Sequence, residues 1–186
     1  MKVAATAVPG CLRIVPEVHD DERGSLTKTF VASSLAAAGV EVGFREQFHS
    51  VSRAGVLRGM HVQLPPHDGA KLVVCARGEV LDVVVDLRRG SPAFGRPVSC
   101  TLRAPGDALL VPAGVAHGFW VVSDECLLCY STASEYDSQA DGGVRWDSID
   151  FAWPEERPLL SARDARLPTL ADFASPFVFA AEGASS

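Results

Sequence analysis

From Phe44 onward the chain is a series of short apolar runs, most alternating with polar residues and separated by Gly, Pro and Asp. A period of two places successive side chains on opposite faces, the mark of a strand. The pattern predicts strands near 45–52, 56–63, 71–76, 79–87, 97–103, 107–111, 117–123 and 125–133. EVLDVVVDL alternates weakly and is rich in valine, as a core strand of a sandwich or barrel is. Before Phe44, Leu12–Val15 reads as a strand, DDERG as a polar turn, and SLTKTFV as a strand with Leu26 turned inward. ASSLAAAGV is the one helical stretch, with Ser33 or Ser34 to cap it and Gly39 to stop it. After about residue 137 the character changes. Turn formers and tryptophans suggest a segment wrapped over the strands, with one short helix in ARLPTLADF and a frayed tail over 179–186. Regular strands with turns every 8–12 residues point to an all-β sandwich or jelly roll, organised as one domain over 1–186.

Charge and composition narrow the function. A net charge of −6 argues against nucleic acid, which wants a basic face. No apolar run approaches the ~18 residues of a spanning helix, and MKVAATAVPGCLRIVP breaks at Pro-Gly before a signal-peptide core forms. A cytoplasmic protein with no membrane partner is expected. The five cysteines are scattered through apolar segments and read as reduced core thiols. Cys126 and Cys129 spell C-x-x-C, but on a strand they face opposite ways and cannot share a metal.

The candidate chemistry gathers around SVSRAGVLRGMHVQLPPHDGAK, residues 50–71. His61 ends one apolar run and Lys71 opens the next. Pro65, Pro66 and Gly69 force a turn between them, so a hairpin would fold the lysine back toward the histidine. His117, Tyr130 and Asp164 complete the set expected to converge at a barrel mouth. A lone histidine in a β core is usually structural. Here a carboxylate on one ring nitrogen would fix the tautomer and free the other as a base. A metal-holding barrel is the rival, but His61-Val62-Gln63 lacks a second histidine, and Glu79 with His117 makes a poor ligand set. Nucleophile elbows, P-loops and dinucleotide fingerprints are absent. Acid–base chemistry beside a carbonyl then fits best: His61 takes a proton, Lys71 steadies the enolate, and Tyr130 returns a proton. Arg23 and Arg58 are either anion clamps or ordinary surface and strand-edge residues.

GVLRGMHVQLPP, KLVVCARGEVLDVVVDLRRGSPAFGR, LLVPAGVAHGFWVVSD, GGVRWDSIDFAWP and LSARDARLPTL together resemble the dTDP-4-dehydrorhamnose 3,5-epimerase family, in unbroken order from about residue 12 to 172. The resemblance implies a cupin-like jelly-roll barrel with short peripheral helices and a wrapped C-terminal segment. It implies a strand-swapped homodimer and a nucleotide-diphosphate 4-keto-6-deoxy sugar as substrate, with no cofactor and no metal. It makes His61 the base, Asp164 its orienting partner, Lys71 the enolate stabiliser and Tyr130 the proton donor from the opposite face. His117 falls beside the sugar, Tyr136 near the nucleotide, Arg23 and Arg58 on the diphosphate, and Ser50 and Asp82 on the pocket wall. Four positions depart from the family: Leu26 for an aromatic, Lys28 for a glutamate, Glu46 for glutamine and Phe48 for asparagine. Lys28 and Glu46 either pair as a charge-swapped bridge or help hold a different base, since a Glu can accept from the cytosine amino group. The expected activity is epimerisation of a dTDP-4-keto-6-deoxyhexose at carbon 3, carbon 5 or both. The alternatives are the same chemistry on a CDP- or GDP-linked sugar, a metal-dependent isomerase or oxygenase, and a non-catalytic binding module.

Overall fold

The computed structural model describes residues 1–180. Two sheets face one another. In chain order the strands are β1 (Lys2–Ala5), β2 (Leu12–Val15), β3 (Val18–Asp21), β4 (Gly24–Thr27), β5 (Glu46–Arg53), β6 (Leu57–Gln63), β7 (Lys71–Arg77), β8 (Glu79–Asp86), β9 (Pro97–Arg103), β10 (Ala108–Val111), β11 (Val115–Val121), β12 (Glu125–Thr132) and β13 (Asp141–Gly143). One sheet runs β1-β2-β10-β7-β12-β5 and the other β13-β6-β11-β8-β9, all pairs antiparallel. β3 and β4 form a separate two-stranded hairpin. The two sheets do not join into a closed ring; they make a cupin-like jelly roll.

Alternation explains three apolar layers. Val73 and Cys75 of β7, Leu128 of β12, Val80 and Val84 of β8 and Phe119 of β11 fill the space between the sheets. The intervening residues of β8 and β6, Val83, Val85, Met60 and Val62, point outward and are covered by Val144, Ile149 and Phe177. Leu72, Val74, Leu110 and Ile14 form the outer layer of the other sheet, under Leu35. β8 is therefore buried on both faces, which is why its valines run almost without interruption. Cys126 belongs to the inner layer, while Cys129 packs on the outer one, as the opposite faces of a strand require.

Strand positions follow the sequence pattern closely from β5 to β12, but the pattern does not predict β1, β3 and β13, which are short and without a clear apolar alternation, and several local expectations do not hold. β6 and β7 are not a hairpin. The Pro65–Pro66 turn carries the chain from one sheet to the other, so His61 and Lys71 meet across the sandwich. The helix α1 is only Ala32–Ala36, preceded by Val31 with no side-chain cap; Ser33 and Ser34 lie inside its first turn, and Gly39, at φ 79°, ends the turn that follows. ARLPTLADF forms no helix: the local structure is a three-residue 3-10 turn, Asp164–Arg166, stopped by Pro168. Leu26 faces solvent at 57% exposure, because the β3–β4 hairpin has no layer beneath it in this chain. Of the tail expected to fray, Phe179 donates its N–H to Arg89 O, and its ring lies 5.0 Å from the Arg88 guanidinium. Residues 181–186 lie outside the described residues.

Candidate active site

A cavity of about 410 Å³ opens at one end of the sandwich, between the two sheets. His61 and Arg58 both reach it from β6. Residues three apart on a regular strand face opposite ways. Here β6 carries a bulge: His117 pairs with His61 and Phe119 with Arg58, so three steps on β6 match two on β11. Glycines allow it. Gly59 has φ 141°, and a Cβ there would stand 2.5 Å from the Gly118 Cα.

Asp164 is buried behind the His61 ring, with Oδ1 2.8 Å from Nε2. Burial pushes the Asp164 carboxyl up, but hydrogen bonds from His61 and the Gly59 N–H outweigh this and hold it below the ordinary range. An ionised carboxylate only accepts, so Nε2 carries the hydrogen and Nδ1 keeps a free lone pair. Burial lowers the His61 pKa; Asp164 opposes this, and Arg163 and Lys71 reinforce it. The ring is therefore neutral near neutral pH, which is the state a base needs.

The opposite sheet supplies Lys71 and Tyr130. Burial brings the Lys71 ammonium down to about 8, against the raising effect of Asp141 and Asp82. Burial pushes the Tyr130 phenol above its ordinary value, with Ser50 opposing, so it stays a proton carrier. Ser50 Oγ stands 3.5 Å from the Tyr130 hydroxyl, and Phe48, the cross-strand neighbour, stacks on the ring at 4.7 Å. His117 sits beside His61 on β11, and Asp82 Oδ2 is 2.7 Å from its Nε2. Asp82 lies inside the wall and touches the cavity through that histidine, while its charge also reaches Lys71 and Tyr130. Arg58 is braced by Ser52 Oγ at 2.9 Å and Val51 O at 3.3 Å.

The fold thus brings together His61, Asp164, Lys71, Tyr130, His117, Asp82, Ser50, Arg58, Tyr136 and Glu46. It leaves out Arg23 and Lys28. Arg23, at the tip of the β3–β4 hairpin, is exposed and paired with Asp21; Lys28 is exposed beyond β4. The charge-swapped pair of Lys28 with Glu46 does not form. Glu46 instead accepts the Tyr136 N–H at 2.6 Å. Asp141 and Arg163 also line the cavity, and the sequence reading passed them over. Arg163 adjoins Asp164 in SARDARLP, the only signal for it; Asp141 opens β13 in the polar stretch DSQADGG, which carries none. Among the described residues no three His, Cys, Asp or Glu side chains converge as a metal would need. None of the helices there is long and apolar enough to cross a membrane.

The family model for dTDP-4-dehydrorhamnose 3,5-epimerase matches residues 5–172. The chain belongs to the dTDP-4-dehydrorhamnose 3,5-epimerase family. Members of this epimerase family are isomerases. The dTDP-4-dehydrorhamnose 3,5-epimerase of Shigella flexneri is 43% identical over 168 residues, covering 88% of this chain and 93% of the relative. Among solved structures, a 4-keto-6-deoxy sugar epimerase from the novobiocin biosynthetic gene cluster of Streptomyces spheroides matches with a TM-score of 0.87 and 36% identity, covering 92% of this chain and 88% of that one. The dTDP-6-deoxy-D-glucose-3,5-epimerase of Legionella pneumophila, in complex with dTDP-4-keto-L-rhamnose, matches with a TM-score of 0.90 and 30% identity, covering 97% and 99%. These family members act on dTDP-linked or 4-keto-6-deoxy sugars, which does not favour the CDP, GDP and metal-dependent alternatives.

Proposed function

We propose that this protein epimerises a dTDP-4-keto-6-deoxyhexose at carbon 3, carbon 5 or both. The observation that carries the reading is the His61 ring, hydrogen-bonded to the buried Asp164, on one wall of the cavity, with Tyr130 and Lys71 lining the same cavity from the opposite sheet. Hydrogens on carbons flanking a ketone are acidic because the resulting carbanion delocalises as an enolate. His61 Nδ1 removes such a hydrogen and becomes imidazolium, stabilised by Asp164. The electron pair moves onto the 4-oxygen, where the Lys71 ammonium meets the charge. Tyr130 then delivers a proton to the opposite face of the carbon, and configuration is inverted. His117 holds the sugar, with Asp82 fixing its tautomer, and Arg58 takes diphosphate oxygens. Tyr136 lies along the nucleotide, its loop tied to Glu46. The imidazolium then releases its proton to solvent and the Tyr130 phenolate takes one from solvent, which restores both groups; no redox partner is needed, so the proposal calls for neither cofactor nor metal.

The working unit we propose is a homodimer. Leu26, Val18 and Phe30 are exposed around the β3–β4 hairpin, and β5 ends its sheet with an open edge. A partner copy that receives the hairpin covers that apolar surface and brings Arg23 to the neighbouring cavity. Five free thiols, all raised by burial, suit a reducing cytoplasm.

The test is incubation with dTDP-4-keto-6-deoxyglucose in heavy water, followed by proton NMR of the sugar. Loss of the carbon 3 signal, the carbon 5 signal or both is expected and names the centres worked on. An unchanged spectrum with active-site-saturating substrate overturns the reading.

A further inference from the structure

Arg163 stands at the cavity wall immediately before Asp164, and the reaction as proposed leaves it without a task. Its Nη1 lies 3.1 Å from His61 Nε2 and 3.6 Å from Asp164 Oδ1, while its Nη2 donates to Asp141 Oδ1. Since Nε2 gives its hydrogen to Asp164, Nη1 cannot donate to the same nitrogen. What it brings to the ring is charge. Asp141, on the strand paired with β6, holds the other arm of the guanidinium and also accepts from the Tyr136 hydroxyl at 3.3 Å. Asp141 thus holds one arm of Arg163 inside the site and the other faces the ring, although the side chain is 44% exposed.

We propose that Arg163, anchored by Asp141, is a positioning residue for His61, keeping the ligand-free ring neutral and seated on Asp164. This deepens the epimerase reading, in which His61 is the base, and rests on it. A second proton on the ring would set an imidazolium 3.1 Å from a guanidinium, and like charges that close disfavour the doubly charged state. The Asp164 carboxylate behind the ring favours imidazolium, which cannot take a proton from the sugar; burial of the ring opposes it first, and the Arg163 charge adds to that opposition. The charged and titratable groups of the site enter the balance. Asp164 and Arg163 come from the chain entering the 3-10 turn, Asp141 from β13, His117 from β11, Lys71 and Tyr130 from the facing sheet, Glu46 from β5, Glu135 and Tyr136 from the segment after β12, and Arg58 from β6 itself. Asp164 and Asp141 favour the charged ring; Arg163 and Lys71 oppose it, and Arg163 is the one in contact.

The experiment is a pH titration of the His61 ring by NMR in the full-length, ligand-free protein with labelled histidine, comparing wild type, R163Q and R163K. R163Q is expected to raise the His61 midpoint by about one pH unit, the scale of a close charge, leaving His19 and His49 where they were. R163K, which keeps the charge, is expected to titrate near wild type. The acid limb of kcat/KM moves with the NMR midpoint in each variant. A His61 midpoint unmoved in R163Q, or R163K titrating like R163Q, overturns the proposal. The ring titration needs no substrate. A shifted midpoint in R163Q with no sugar exchange in wild type upholds the arginine's hold on the ring and overturns the epimerase reading instead.

Discussion

Asp164 does two things for His61 that no other residue can do at once: it sets the tautomer and it stabilises the imidazolium. D164N keeps the size and loses the charge. Its amide can present a hydrogen to the ring, turning the basic nitrogen away from the sugar. Turnover should fall roughly 10²–10⁴-fold, the usual reach of general base catalysis, with KM nearly unchanged. Steady-state kinetics read this directly. The pH profile follows from two groups whose working forms are opposite. His61 acts as the neutral base, so activity falls as pH drops through its pKa, which burial sets below the ordinary value of about 6.5. Lys71 acts as the cation, so activity falls as pH rises through about 8. A kcat/KM profile with both limbs is expected. K71R, which stays charged, should remove the basic limb while the acid limb stays in place.

Strand β6 is the element on which the site depends. Its bulge lets Arg58 and His61 share one face, and Gly59 and Gly118 permit the close approach of β6 to β11. G59A puts a methyl group 2.5 Å from backbone at a positive φ that side chains avoid. Overpacking of this sort costs about 1–3 kcal/mol. Denaturant unfolding should show that loss, and turnover should fall beyond what the lost stability explains, because the bulge aims His61. Gly59 and Gly118 stand in RGMH and AHGF, but nothing local marks a bulge there, since it exists only as a mismatch between two strands distant in sequence. The same limit made the 64–70 turn look like a hairpin: turn chemistry reports that the chain bends, not which sheet it enters next.

For the whole molecule, the outlying β3–β4 hairpin is the feature that this chain leaves unpartnered. Leu26 reads as inward from alternation but is exposed in this chain; a neighbouring copy is what we propose covers it. Sedimentation should find a dimer, and L26D should shift it toward monomer. R23A should raise KM about tenfold or more with kcat largely retained, since a charge-assisted contact to diphosphate contributes about 1.5–3 kcal/mol. If R23A leaves KM unchanged while L26D still breaks the dimer, the hairpin serves assembly alone.

The sequence by itself determined most strands between Phe44 and Thr132, the core character of β8 and the family. Those are properties of local pattern, period two and ordered motifs, and each is written in contiguous residues. Only the tertiary structure decided that His61 and Lys71 lie on opposing sheets, that Asp164 closes on Nε2 from a hundred residues away, and that Arg163 and Asp141 join them. Contacts between distant segments depend on sheet order and register, and a polar residue in a loop looks the same in sequence whether it faces water or a histidine.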